Sequence, residues 1–107
     1  MGYLLLTLAI VLEVLGTAAM KLSDGFTKVV PSVLLFIFYA VSFVAFTYAL
    51  KYIDVSIAYA IWAGLGVLLI AVIGVLYFDE TITALKIVSI ALIILGVVGL
   101  SITEVHE

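Results

Sequence analysis

The chain of 107 residues has no cysteine, which excludes a disulfide framework and thiol chemistry. Charged residues make up only 10% of it. The basic ones, Lys21, Lys28, Lys51 and Lys86, are scattered, so no basic patch argues for nucleic acid. The acidic ones are Glu13, Asp24, Asp54, Asp79, Glu80, Glu104 and Glu107. The single histidine, His106, stands in the tail, where a solvated terminal side chain accounts for it better than a ligand does. Neither an enzyme nor a bound metal or cofactor is expected from this set. The N-terminus has no basic stretch and no small-residue cleavage site, so the first apolar segment is expected to be retained. No linker or soluble segment interrupts the chain, and residues 1–107 are expected to form one transmembrane domain.

What is present in excess is apolar surface. Hydrophobic residues make up 68% of the chain, and the mean hydropathy is +1.55. A water-soluble domain of this size has too little interior to hide so much of it. The solvent must be lipid. Val29 to Leu50, Val55 to Phe78 and Ile87 to Thr103 contain no Asp, Glu, Lys, Arg or His. A spanning helix needs roughly 20 mostly apolar residues, with about 17 as the lower edge. With the first segment this predicts four spans, near 3–20, 30–50, 56–78 and 83–103. Lys86 and Glu104 are placed to snorkel at the ends of the last. A β-barrel needs alternating polar and apolar residues, which these runs lack.

The connections are short polar turns, which force neighbouring helices antiparallel. Gly25 suits a positive φ. Pro31 falls in the first turn of span two, where its missing N–H does no harm. Asp54 or Ser56 is expected to cap span three, and Thr81 or Thr83 span four. Lysines divide almost evenly between the faces: Lys21, Lys28 and Lys86 on one, Lys51 and the terminal amine on the other. So weak a bias permits insertion in both orientations.

Glu13 is the only Asp, Glu, Lys, Arg or His between Met1 and Met20. At bilayer depth an ion costs at least ~2.5–3.5 kcal/mol, so such a group usually marks a pathway or binding site. Its helical neighbours are Leu6, Ala9, Ile10, Gly16, Thr17 and Met20. Ala9, Gly16 and Thr17 are small. They leave open volume around the carboxylate, and equally they permit close helix packing. Span two places Tyr39, Ser42, Phe43 and Phe46 on one face, and span three places Tyr59 and Trp62 three apart. Phe43 and Phe46 read first as packing or lipid-facing residues, although Phe43 is kept among the candidate pocket residues. Tyr39, Tyr59 and Trp62 lie too deep for an interfacial belt. Their polar groups want a partner in lipid, and aromatic faces attract organic cations by roughly 0.5–2 kcal/mol each. Gly64 and Gly66 mark a hinge or a close approach in span three. Ser89, Gly96 and Gly99 supply small positions on span four, which assigns that span to dimer contact rather than to substrate.

Four helices alone cannot enclose a useful pathway, but a dimer brings two Glu13 side chains to one cavity. Burial and like-charge repulsion both favour protonation of a carboxyl group, and such a pair titrates as one unit. A site that holds either protons or a cation is the chemistry of an antiporter. Alternating access about a midplane site commonly uses inverted repeats, which two oppositely inserted copies would supply. Two other classes compete: a proton-conducting channel or rotor subunit, and an assembly protein without transport. The first has no need of the rings around the acid, the second none of Glu13.

The residues resemble the small multidrug resistance family of bacterial membrane transporters along essentially the whole chain. The resemblance is carried by Leu-Glu-Val-Leu-Gly-Thr ending at Thr17, Met-Lys-Leu-Ser-Asp-Gly-Phe from Met20 to Phe26, Pro31-Ser32, and Ala-Tyr-Ala-Ile-Trp from Ala58 to Trp62, followed by Gly64 and Gly66. It implies an all-α inner-membrane protein: four transmembrane helices in an antiparallel, dual-topology homodimer. It also implies proton-coupled export of small organic cations. Glu13 then takes the place of the shared proton and substrate carboxylate, Tyr39, Tyr59 and Trp62 those of pocket aromatics, and Ser42 that of a polar pocket residue. Some members of the family work only as pairs of two different chains. Guanidinium exporters of the family typically carry Trp-Ala where this chain has Gly16-Thr17. That difference and Tyr39 favour the branch that exports lipophilic quaternary cations. Ala63 departs from the pattern, since relatives often have a hydroxyl residue after the tryptophan.

Overall fold

Without water, backbone N–H and C=O groups must bond to one another, and an apolar run does so locally only as a helix. The computed structural model, which describes residues 1–105, shows this outcome. The expectations for His106 and for the side chain of Glu104 lie outside the described residues. Four helices follow in order: α1 (Gly2–Leu22), α2 (Val29–Ala49), α3 (Val55–Tyr77) and α4 (Ala84–Val105). They hold 21, 21, 23 and 22 residues. At 1.5 Å per residue each reaches about 30 Å, the depth of a hydrocarbon core. All four are long and apolar enough to cross a membrane, and no strand occurs among the described residues.

The chain forms two compact units, Met1–Ile53 and a second that begins at Asp54. In the first, α1 and α2 pack along their length. Ser42, fully buried on α2, donates its hydroxyl proton to the Ala9 carbonyl of α1 at 2.7 Å. Gly16 on α1 admits the Tyr39 ring: a Cβ there would lie 2.8 Å from both Cδ1 and Cε1. The turn between the helices is tied by buried Ser23, whose hydroxyl donates to the Met20 carbonyl at 2.7 Å and accepts from the Phe26 N–H at 3.2 Å. Gly25 has the expected positive φ of 68°, but Asp24 and Phe26 share it at 50° and 68°. For a bulky residue such as Phe26 that backbone is uncommon; its ring stacks on Phe36 at 6.1 Å. Pro31 is the third residue of α2, among the first four positions whose N–H groups have no intrahelical partner.

In the second unit α3 runs unbroken through both glycines. A Cβ at Gly64 would meet Val97 Cγ2 at 2.6 Å, so Gly64 marks the close approach of α4. Asp54 stands at the N-cap of α3 but forms no side-chain cap bond. Thr83 does cap α4, accepting from the Lys86 N–H at 3.1 Å. Removing an N-cap hydroxyl costs about 1 kcal/mol. Thr83→Ala should therefore speed hydrogen exchange of the first-turn amides of α4 about fivefold, read by NMR. Lys86 and Glu80 approach at 3.7 Å, an exposed pair of little energetic weight. Beyond Gly64 the helices diverge around an apolar groove of about 650 Å³, lined among others by Leu68, Val72, Leu76, Ile90 and Ile94. None of the described α4 residues is buried.

Candidate functional site

In the first unit, four residues form a connected array. Glu13 stands half-buried on α1. Thr17 lies one helical turn further, where i and i+4 side chains face each other, and its Oγ1 donates to Glu13 Oε1 at 3.0 Å. The same Oγ1 is 2.7 Å from the Tyr39 hydroxyl of α2. A threonine hydroxyl has one proton and two lone pairs. Since an ionised Glu13 can only accept, Thr17 gives its proton to the acid and takes the one from Tyr39. The Tyr39 ring then stacks on Phe43, with centroids 6.2 Å apart and planes 13° from parallel. Acid, hydroxyl and two rings thus follow one another from α1 to α2, on a seam that Gly16 makes narrow enough.

The small neighbours of Glu13 act differently from the open volume expected of them. The Tyr39 ring and Phe38 Cβ occupy the space over Gly16. Leu6, Ala9 and Ile10 are buried. Ser42 has its proton committed to the α1 backbone, so it ties the two helices whatever else it does.

The second unit carries the remaining aromatic candidates. Tyr59 is exposed and Trp62 half-buried on α3. Their rings meet edge to face, with centroids 5.4 Å apart at 77°. Ring faces of this kind attract cations, and tryptophan is the best aromatic partner for one. Gly64 and Gly66 are buried, whereas Ser89, Gly96 and Gly99 are exposed. No atom lies within 4 Å of a Cβ built at Gly96 or Gly99. The α3–α4 packing therefore leaves the small-residue face of α4 uncovered. None of the expected site residues lines the apolar groove.

The link that sequence reasoning missed is the bond between Thr17 and Tyr39. Glu13 and Thr17 four apart were a legible signal for half of it. The other half depends on how α1 and α2 are aligned, and periodicity within one helix says nothing about that.

The model of the Small Multidrug Resistance protein family matches residues 1–93. This chain belongs to the small multidrug resistance family. Among its relatives, an uncharacterized membrane protein YvaE of Bacillus subtilis is 53% identical over 97% of this chain and 87% of its own length. Multidrug resistance protein EbrA of Bacillus atrophaeus is 45% identical over 94% of this chain and 95% of its own. Quaternary ammonium compound-resistance protein QacC of Staphylococcus aureus is 42% identical over 95% of each. With four helices of spanning length, this member of the family is a multi-pass membrane protein.

Proposed function

We propose that the chain exports lipophilic quaternary cations in exchange for protons, and that the two compete for Glu13. The observation that carries this reading is an acid inside an apolar helix that accepts from the Thr17 hydroxyl, itself bonded to a ring hydroxyl. A structural role for an acid in lipid would call for a cation partner, and α1 and α2 have none near it: Lys21 is eight residues away along the chain. The relatives named for quaternary ammonium resistance support the choice of cargo.

The proposed working unit is an antiparallel, dual-topology homodimer, each chain contributing one domain over residues 1–107. It is supported by the near-even lysines, by the absence of buried residues among the described part of α4, and by the uncovered face at Ser89, Gly96 and Gly99. Two Glu13 carboxylates with Tyr39, Tyr59 and Trp62 would then hold a cation by charge and ring contact. Protonation from the outside would release it. The driving force is about 2.3 kcal/mol per charge per 100 mV, plus the pH difference. Gly64 and Gly66 are proposed to accommodate the movement of α3, and Leu6, Ala9, Ile10, Gly16, Thr17, Ser42 and Phe43 to shape the cavity.

Purified protein in proteoliposomes tests this directly. An outwardly directed pH gradient should drive accumulation of tetraphenylphosphonium and leave guanidinium behind. Guanidinium uptake with no phosphonium uptake would move the cargo to the other branch of the family. Proton leak without exchange, or no flux of either, would refute the exporter.

A further inference from the structure

The hydroxyl of Thr17 holds two hydrogen bonds at once, one to the acid of its own helix and one to the tyrosine of the next. We propose that Thr17 is a positioning residue that transmits the charge state of Glu13 to the Tyr39 hydroxyl on α2. This rests on the reading of Glu13 as the exchanging group.

The argument is one of donor counting. With Glu13 ionised, protons point one way along the array: Tyr39 Oη–H to Thr17 Oγ1, then Thr17 Oγ1–H to Glu13 Oε1. Each bond polarises the next and strengthens it. Once Oε1 takes up a proton, it becomes a donor and Thr17 must accept from it. That frees the Thr17 proton, which can now be given to Tyr39 Oη, and in that arrangement the Tyr39 proton turns away from the array. No proton is transferred between the three groups; only the direction of donation reverses. The tyrosine hydroxyl thus presents a different face to its surroundings in each charge state of an acid to which it is joined through Thr17.

The geometry favours a relay over a chance contact. The Tyr39–Thr17 distance of 2.7 Å is the most favourable one for two hydroxyls. The ring is held on one side by Gly16 and on another by Phe43, so the hydroxyl has a fixed position from which to bond. The titratable side chains of α1 and α2 are Tyr3, Glu13, Lys21, Tyr39 and Tyr48. Of these, Tyr39 is joined to Glu13 through Thr17, while Tyr3, Lys21 and Tyr48 stand exposed.

The test is a double-mutant cycle read on the Glu13 carboxyl carbon by NMR titration of the full chain in bicelles, without substrate. Thr17→Val keeps the shape and removes the hydroxyl. It should raise the midpoint of the Glu13 titration by about one pH unit, the effect of losing one hydrogen bond to a charged group. Tyr39→Phe should raise it by less than half as much in the native background and not at all in the Thr17→Val background, because the ring hydroxyl acts through Thr17. Thr17→Ser should restore the native midpoint. An unchanged midpoint in Thr17→Val, or an equal effect of Tyr39→Phe in both backgrounds, overturns the relay. Should Thr17→Val fail to fold, Tyr39→Phe carries the test alone: a moved midpoint supports the relay and an unmoved one refutes it. Since no flux is measured, a relay found in a protein that transports nothing would sink the exporter and leave the relay standing.

Discussion

Glu13→Gln should eliminate proton-driven accumulation of tetraphenylphosphonium while the helices and their pairing survive. Glutamine has nearly the size of glutamate, and its carbonyl can still accept from Thr17 Oγ1, so the bond that now measures 3.0 Å need not be lost. What goes is the charge and the ability to take up a proton. Two unit charges 4 Å apart attract by roughly 4 kcal/mol in the effective dielectric near a protein surface. The variant homodimer lacks both carboxylates, and the loss of even one such attraction predicts cation binding at least about a thousandfold weaker in calorimetry. Exchange should stop altogether, because no group remains at which proton and cation compete. Circular dichroism and the mass of the detergent-solubilised assembly should match the native protein. Normal pH-driven uptake by this variant would remove Glu13 from the mechanism.

The second large effect is expected at Gly16, a residue with no chemistry of its own. A Cβ there would lie 2.8 Å from two carbons of the Tyr39 ring and 3.4 Å from Phe38 Cβ. Valine adds two further carbons, and the rigid branch at Cβ cannot swing them clear. Either the ring leaves Thr17 or α1 and α2 separate. Overpacking of this kind costs typically 1–3 kcal/mol. Gly16→Val should weaken tetraphenylphosphonium binding between about tenfold and a hundredfold, because a cation loses the placed ring. It should also shift the Tyr39 ring resonances, which a loss of charge at Glu13 would not do in the same way. Native affinity together with native ring shifts would show that the space over Gly16 is not needed.

The fold was legible because its signal is one of length: three runs without charge and a fourth with a single acid leave little choice but four helices in lipid. The candidate site was legible residue by residue and illegible in its connections. Glu13 stood out by cost, and Thr17 by lying one turn away. That Ser42 bonds the Ala9 carbonyl, and that Tyr39 reaches Thr17, depends on the alignment of two helices, which is set by how side chains fill one another's gaps. The turns show the same limit. Gly25 announced a left-handed backbone, but Asp24 and Phe26 adopt one as well, held by the bonds that Ser23 makes at the end of α1. Asp54 has the right chemistry for a cap and the right position, yet its side chain makes no cap bond.

The last helix has a consequence for how variation in this protein should be understood. With none of its described residues fully hidden, α4 has only a half-buried stripe, Lys86, Ile90, Ile94, Val97 and Ser101, and Val97 of that stripe meets Gly64 of α3. Exchanging one oily side chain for another outside that stripe changes what the helix touches beyond the chain far more than it changes the chain itself. A saturation scan of that segment would therefore chart the neighbours it keeps in the bilayer, position by position, rather than the stability of its own hairpin.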